Sequence, residues 1–390
     1  MARLTYNQIA SFLTSAYAQA TGGTVSSLGF AALQQVFTTD SVATEDNLYA
    51  YLDNVICKTL FAVRPISEPL KSLEWEPQRY GDIVRKLTPI TTEPVNNREW
   101  DIGTELQQVN PDFACCTAPV LQDFLAVRIG GGNTYARKWT TYRDQMNAAF
   151  QSESQVVDFF SMMATERANR MKLDRLSEKR ALVNNAILAL EGTSQEFKAL
   201  TAYNNETGSS YTAVTVMAPG VFREFMIWLS AKIQYLRTLM QDNGKMFHKD
   251  ITGKEVDRHT PLNMQKLYLR SDFEMYFRAN QAQLFNPERL PAFMAVEGVS
   301  YWQTPDTPGT VEGTYRTISS SGAITDGASK QVENVIGILF DDDFMGLANI
   351  NNWAAAEPYN SRYGFQNVWT HQTYRSIQDH TENALIITLS

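Results

Sequence analysis

Residues 153–191, ESQVVDFFSMMATERANRMKLDRLSEKRALVNNAILALE, carry the clearest helical pattern of the sequence. Ser152 and Gln155 form a capping box at its start, and Gly192 follows as a stop signal. Between these signals, apolar residues recur at helical spacing at Val156, Phe160, Met163, Met171, Val183, Ile187 and Leu190. One helix of this length spans about 58 Å, whereas a compact sphere of this chain would be about 55 Å across. The segment therefore predicts a helix that runs along an elongated subunit.

The middle of this helix, residues 166–180, carries six basic and three acidic residues. Two interpretations fit the pattern. A solvated helix face would pair opposite charges three or four residues apart, whereas a local basic strip would face a polyanion. The sequence leaves both open.

The bulk composition excludes several classes of protein. The net charge of −8 argues against a chain that coats nucleic acid along its whole surface, so any such contact has to be local. The chain has only three cysteines, and two of them, Cys115 and Cys116, are adjacent. This indicates a reducing compartment and not a disulfide framework. The first residues lack an export signal, and no run of about 18 apolar residues occurs. We therefore expect a cytoplasmic protein that does not contact a membrane.

Residues 119–143 are predicted to form a hairpin. Two extended runs flank Gly130, Gly131, Gly132 and Asn133, and these residue types tolerate positive φ in a tight turn. A lone hairpin is marginal in water, and the neighbouring sequence offers no obvious strand for it to rest on. Its support is either another subunit or a distant part of its own chain, and the sequence does not distinguish the two.

Several other segments have recognisable patterns. Residues 218–244 predict a helix that opens near Pro219, with an apolar face of Phe222, Phe225, Leu229, Ile233, Leu236 and Met240. LYLRSDFEMYF, residues 267–277, alternates as a half-buried strand does. Residues 304–329 are rich in Gly, Ser, Thr and Pro and predict a long surface loop. VIGILF at 335–340 and ALIITL at 384–389 predict strands covered on both faces.

Three places resemble reactive sites without meeting the requirements of one. Asp341, Asp342 and Asp343 end a strand, where successive side chains point to opposite faces and cannot converge on one cation. The IGGGN turn lacks both the Lys-Ser/Thr step and the helix N-terminus that bind phosphate. The histidines fall into no zinc, metalloprotease or hydrolase motif; they are His248, His259, His371 and His380. We therefore predict no catalytic residue, no cofactor and no metal site.

His371 lies in GFQNVWTHQTYRS, residues 364–376, which alternates as a strand. One face carries Phe365, Asn367, Trp369, His371 and Thr373, and the other carries Gln366, Val368, Thr370, Gln372 and Tyr374. Both faces mix polar and apolar side chains, as in a strand that packs against the long helix on one side and is partly solvated on the other. His371 is therefore interpreted as a packed, hydrogen-bonded strand residue and not as a ligand or a base.

The order of these elements resembles a known family. The segments that carry the resemblance are LYLRSDFEMYF, GILFDDDFMGLANINNW (337–353) and YNSRYGFQNVWTHQTYRSIQDHTENALIITLS (359–390). They are similar to the major capsid proteins of tailed double-stranded DNA phages with the Hong Kong 97 fold, and most similar to those of the phi-29-type short-tailed phages. The resemblance covers most of residues 51–390 and implies an α+β fold.

The resemblance also implies a division of the chain. Residues 1–50 would form the N-terminal arm, 51–75 the start of the P-domain, and 76–148 the E-loop that lies over a neighbour. Residues 149–199 would form the spine helix of the P-domain, 200–345 the A-domain, and 346–390 the C-terminal strands of the P-domain.

The implied function is that of a structural protein and not an enzyme. The chain would self-assemble into homo-hexamers and homo-pentamers of an icosahedral head, with Trp100, Trp139 and Tyr142 as suspected inter-subunit contacts. Expected partners are scaffolding, portal and other head proteins, and packaged double-stranded DNA through weak contacts. The expected location is the virion capsid, after assembly in the host bacterial cytoplasm.

Two other functions remain open at this point. An encapsulin-like compartment shell would share the fold and would enclose a cargo protein in place of a genome. A cytoplasmic α/β enzyme would be a monomer or small oligomer with a ligand-filled cleft.

Overall fold

The computed structural model describes residues 69–75, 83–89, 124–130, 133–142, 153–242, 244–250, 256–284, 296–319, 321–358 and 360–390. The helices are α1 Glu153–Leu190, α2 Ala199–Thr207, α3 Pro219–Gln241 and α4 Ser271–Leu284. The strands are β1 Glu74–Trp75, β2 Ile83–Pro89, β3 Phe124–Gly130, β4 Asn133–Tyr142, β5 Glu196–Lys198, β6 Gln265–Arg270, β7 Val296–Val299, β8 Val311–Gly313, β9 Arg316–Ile318, β10 Ile324–Asp326, β11 Lys330–Val332, β12 Val335–Asp341, β13 Met345–Ala356, β14 Phe365–Gln378 and β15 Ala384–Thr388.

The chain divides into two compact units. The first comprises Met1–Tyr80, Gly132–Leu182 and Gly346–Ile377. The second comprises Gly81–Gly131, Val183–Met345 and Gln378–Ser390. Most of α1 therefore belongs to the first unit and its last turns to the second.

The prediction of one long helix is confirmed. α1 is continuous over 38 residues, which corresponds to about 57 Å. Gly192, the second residue after the helix, adopts the left-handed conformation with a φ of 76°, as expected for a stop signal. Ser152 of the capping box lies outside the described residues, and the elongated shape of the subunit stays a prediction.

Replacing Gly192 with alanine is expected to lower the free energy of unfolding by about 1 kcal/mol, because a side chain strains the backbone at positive φ. The added methyl group would not clash with its surroundings, because its Cβ would come no closer than 4.0 Å to Lys330 Nζ. Gly220→Ala in the first turn of α3 is the matched control, and it should raise stability by about 0.5 kcal/mol. Urea denaturation checks both values, and a loss of the same size in both variants would contradict this account.

A four-stranded sheet forms the core of the first unit, in the order β1-β13-β14-β4. β4 runs antiparallel to β14 over ten residue pairs, from Phe365↔Tyr142 to Tyr374↔Asn133. The prediction that 364–376 forms a strand is confirmed. The even-numbered side chains from Gln366 to Tyr374 are buried, and the odd-numbered side chains over the same stretch are mostly half-buried.

The predicted hairpin over residues 119–143 is wrong. β3 pairs with β2, from Ile83↔Gly130 to Pro89↔Phe124, whereas β4 joins the sheet of the first unit. Both strands therefore find partners within their own chain. The glycines favour a tight turn locally. An isolated two-stranded hairpin is only marginally stable in water, however, so pairing within the four-stranded sheet stabilises β4 more than pairing with β3 would.

A five-stranded sheet, in the order β5-β15-β12-β6-β7, forms the centre of the second unit. β12 and β15 pair antiparallel, and every residue of both strands is buried. The prediction that these two strands are covered on both faces is confirmed. β15 thus lies in a different sheet from β13 and β14, although the sequence interpretation grouped all three in residues 346–390.

The predicted apolar face of α3 is also confirmed. All six of its residues are buried in one cluster, namely Phe222, Phe225, Leu229, Ile233, Leu236 and Met240. The cluster includes Phe273 and Phe277 of α4, together with residues of β6, β12 and β15. This cluster is the main hydrophobic core of the second unit.

The prediction of a strand over residues 267–277 is wrong in its second half. β6 ends at Arg270, and α4 begins at Ser271. Phe273 and Phe277 are both buried and lie four residues apart. This spacing places them on one face of a helix and also on one face of a strand, so the pattern fits both elements. Asp272 and Glu274 are acidic residues in the first turn of α4, where the helix dipole favours negative charge.

The prediction of a long surface loop over residues 304–329 is wrong in part: most of the described residues there are exposed or half-buried, but the segment also contains short strands. Two short antiparallel pairs are nested there, with β9 and β10 inside β8 and β11. Val311 pairs with Val332, and both are buried. The buried contact of these two valines stabilises the β8–β11 pair. The surrounding Gly, Ser and Thr residues favour a loop, so the sequence pattern did not indicate this contact.

Candidate assembly surfaces

One face of the four-stranded sheet packs against α1. The odd-numbered residues of β4 point towards the helix: Tyr135 donates to Glu178, and Arg137 forms a two-point ion pair with Asp174. The even-numbered residues of β14 share this face, because Val368 lies opposite Trp139 in the strand register. Layer packing of this kind gives each element a buried side.

The basic middle of α1 is engaged by this packing. Arg167 is buried, with its guanidinium 5.6 Å from the centre of the Trp139 ring. Lys179 is buried too and lies 2.8 Å from Glu74, which also faces Arg175 at 3.5 Å. Arg167 and Lys179 therefore do not belong to a solvated helix face, as one interpretation expected, and their burial against the sheet also argues against a polyanion contact.

The opposite face of the sheet carries a row of aromatic side chains. His371 stacks on Trp353, with ring centres 3.9 Å apart and planes 9° from parallel. Trp369 and Asn367 both donate to the Glu357 carboxylate. These two hydrogen bonds lower the pKa of Glu357, so it stays charged. The interpretation of His371 as a packed strand residue is supported by its stacked ring.

The suspected inter-subunit contacts lie in different settings. Trp139 is half-buried against α1, whereas Tyr142 is 48% exposed and packs edge-on against Phe365. Trp100 lies outside the described residues. The roles of all three stay predictions, and their positions make Tyr142 a better candidate than Trp139.

A buried ionic cluster holds β2 within the second unit. Lys86 Nζ lies 3.1 Å from Asp379 Oδ2 and donates also to Glu382. Glu382 forms a further ion pair with Arg258, at 3.1 Å. The two carboxylates are almost fully buried, whereas a quarter of the Lys86 side chain is exposed. The cluster joins segments that are 293 residues apart.

The electrostatics of this cluster follow from burial and charge together. Burial would lower the pKa of Lys86, but the charges of Asp379 and Glu382 outweigh it and raise that pKa. Burial would raise the pKa of Asp379, but Lys86 and the Thr381 hydroxyl hold it below its ordinary value. For Glu382 burial prevails over Lys86 and Arg258, and its pKa is raised.

His380 lies beside this cluster. Burial and the Lys249 ammonium outweigh the attraction of Asp379 and lower the pKa of His380 to about 4. Its ring packs edge-on against Phe344, with centres 5.8 Å apart. His380 is therefore neutral at pH 7 and serves as a core residue.

Of the three consecutive aspartates, Asp341 ends β12 and the other two lie in the turn that follows. Asp341 accepts a hydrogen bond of 2.7 Å from the Thr260 hydroxyl, and burial raises its pKa. Asp342 pairs with Lys266, and Asp343 donates its backbone N–H to Asp341. Among the residues that the structure describes, no three His, Cys, Asp or Glu side chains are grouped so as to hold a metal ion. None of the helices within the described ranges is both long and apolar enough to cross a membrane.

Sequence reasoning missed the ionic cluster. The only signal was the polar run DHTEN, residues 379–383, between two strands that are otherwise largely buried. Buried charges need partners, so this run could have predicted a distant cation. It could not have identified Lys86 among the 34 lysines and arginines of the chain.

Comparisons with known proteins agree with this architecture. The family model described as "Phi29-like phage major capsid protein" matches residues 7–388. A chain of the capsid structure of Staphylococcus phage Andhra is similar in fold, with a TM-score of 0.54, 10% identity, and coverage of 84% of this chain and 86% of that chain. A chain of the structure of head fiber and inner core protein gp22 of native bacteriophage P68 gives a TM-score of 0.51 at 10% identity, with the same coverage. The search of curated proteins found no match.

Proposed function

Because the chain belongs to the family of Phi29-like phage major capsid proteins and builds an icosahedral phage head, we propose that it does so as hexamers and pentamers around double-stranded DNA. The family match over residues 7–388 is the observation that carries this function. Capsid proteins of this kind are structural, and the proposal includes no catalytic step. Assembly takes place in the host bacterial cytoplasm before the protein resides in the virion capsid.

The proposed domains are those that the resemblance to the Hong Kong 97 fold implies, with the bounds of two of them changed. Residues 1–50 act as the N-terminal arm and 51–75 as the start of the P-domain. The E-loop, first assigned to 76–148, is better limited to 81–131, since β4 is an integral strand of the four-stranded sheet. Residues 149–199 supply the spine helix, and 200–345 the A-domain. The C-terminal part, 346–390, is better divided at Ile377, where the chain passes into the second unit.

The proposed partners follow from charge and family. A chain with a net charge of −8 binds DNA weakly and locally, which suits a container that must release its genome. Arg170 of α1 is exposed and is a candidate for such a contact. Scaffolding, portal and other head proteins complete the set of proposed partners.

Negative-stain microscopy and sedimentation velocity of the purified chain test the proposed function. We expect rings, sheets or shells at high concentration, alone or with a scaffolding partner. Uniform small particles under both conditions would contradict it. Nuclease-protected DNA inside shells from infected cells separates a phage head from a compartment that holds a cargo protein.

A linker variant tests the role of the proposed E-loop. Pro89 and Phe124 are directly opposite each other in the β2–β3 pair, so a four-residue Gly-Asn linker can replace residues 90–123. We expect a melting temperature within about 3 °C of the parent and assembly reduced at least tenfold, because the subunit core is intact. Normal assembly would show that residues 90–123 do not bind a neighbour, and a lost fold would show that they belong to the core.

A further inference from the structure

The sheet of the first unit has one face that α1 covers and one that it does not. We name the second the aromatic face and define it by Tyr142, Trp353, Tyr363, Phe365 and Trp369, with His371 beneath Trp353. The strand register fixes this assignment, because Tyr142 lies opposite Phe365 and both point away from the face that carries Trp139. Among the residues of this unit that the structure describes, no helix covers this aromatic surface.

The rings of the aromatic face are held in place. Tyr363 stacks on Phe365, with ring centres 6.3 Å apart, in a turn closed by the Gly364 N–H to the Asn360 carbonyl at 2.8 Å. Trp353 stacks on His371, and Trp369 is fixed by its hydrogen bond to Glu357. Side chains that are already ordered lose little entropy when a partner binds.

The exposed area is large enough to matter for association. Trp353 and Tyr142 are each 48% exposed, and Tyr363 is 62% exposed. With about 200 Å² for each side chain, the three rings expose roughly 300 Å² together. A stable interface needs about 800 Å² from each partner, so these rings alone supply more than a third of it. Trp and Tyr are also the residues that most often dominate binding energy.

The charge of the face argues for a protein partner and against nucleic acid. Lys138 and Glu357 are both on this side of the sheet, and their charges offset each other. Arg362, which lies 5.4 Å from the centre of the Tyr363 ring, leaves these three residues with a single net positive charge. A surface that binds a polyanion would carry an excess of basic residues. An aromatic centre with few charges is typical of protein interfaces.

We infer that the aromatic face binds a second copy of this chain. The inference rests on the proposed function, since a subunit of a shell built from one chain meets its own copies more than any other protein. It extends that function by assigning the contact to the sheet and to named side chains, whereas the E-loop proposal concerns residues 81–131.

Substitution tests the strength of the contact. Trp353→Ser and Tyr363→Ser are expected to raise the concentration required for assembly at least tenfold, while the melting temperature of the isolated subunit changes by less than about 2 °C. Tyr235→Ser is the matched control, because Tyr235 is similarly exposed, at 58%, on α3 of the second unit. Equal effects at all three positions, or no effect at 353 and 363, would overturn the inference.

Cross-linking identifies the occupant. A photoreactive benzoylphenylalanine replaces Tyr363, and particles are assembled from equal amounts of ¹⁴N- and ¹⁵N-labelled chain. Cross-linked peptides that combine the two isotopes in about half of the products would support a second copy. Cross-links within one isotope only would show that the chain covers its own face, and cross-links to DNA or to another protein, or none at all, would equally overturn the inference. Failure of the parent chain to form particles would instead contradict the proposed function itself.

Discussion

The Lys86→Met variant is expected to unfold with about 3 kcal/mol less free energy than the parent. The substitution leaves Asp379 buried without the ammonium that neutralises it, whereas Glu382 keeps its ion pair with Arg258. An uncompensated buried charge costs about 3–5 kcal/mol. The lower end applies because a quarter of the Lys86 side chain is exposed. Urea denaturation followed by tryptophan fluorescence measures the loss.

Two comparisons show whether charge is the cause. Lys198→Met removes an exposed lysine from the same unit and should change stability by less than about 0.5 kcal/mol. Adding Asp379→Asn to Lys86→Met removes the carboxylate that has lost its cation and should recover at least about 1 kcal/mol. If the double variant is no more stable than Lys86→Met, the methionine itself disturbs the packing and the ionic account is wrong.

The raised pKa of Lys86 adds a dependence on pH. A lysine whose folded-state pKa is raised stabilises the fold fully below its unfolded pKa, and the contribution is lost as the pH rises through the folded value. The difference between parent and Lys86→Met should therefore persist up to about pH 10.5 and shrink above it.

Acidification from pH 7 to pH 4 is expected to cost the fold about 3 kcal/mol through His380 alone. Its pKa is about 4 in the folded chain and 6.5 ordinarily. Since the unfolded chain binds this proton more tightly, stability falls as the pH drops through the window from 6.5 to 4. A shift of this size corresponds to about 3 kcal/mol at 1.36 kcal/mol per pKa unit.

The variant His380→Gln isolates this contribution. Glu382 and Asp341 have raised pKa values, so their protonation favours the fold as the pH falls and acts in the opposite direction. These carboxylates are common to both chains, and the difference between the two unfolding curves removes most of their effect. We expect the parent to lose about 3 kcal/mol more than His380→Gln between pH 7 and pH 4. Parallel curves would show that His380 does not carry a lowered pKa.

The candidate surfaces could be anticipated only in part. Tyr142 was named as a suspected inter-subunit contact, and the alternation of residues 364–376 divided the side chains of β14 between two faces. The sequence could not show that Trp353 covers His371, because Trp353 lies on a neighbouring strand. It also placed Trp139 beside Tyr142 as an anchor, although successive residues of a strand alternate and Trp139 points to the face that α1 covers.

The sequence by itself determined the elements whose cause is local. The period of apolar residues and the stop at Gly192 determined α1, the apolar stripe determined α3, and two short apolar runs determined β12 and β15. In each of these segments the residues that make the pattern are neighbours along the chain, so backbone geometry alone relates them.

Tertiary structure decided which elements meet. It placed β4 beside β14 and β3 beside β2, although β3 and β4 are adjacent in sequence. It ended β6 where α4 begins, because the burial of Phe273 and Phe277 satisfies a helix there. It also brought Lys86 to two carboxylates almost 300 residues away. These pairings depend on the free energy of burying apolar surfaces and charged groups against distant parts of the chain. The periodicity of residues along the sequence does not contain that information.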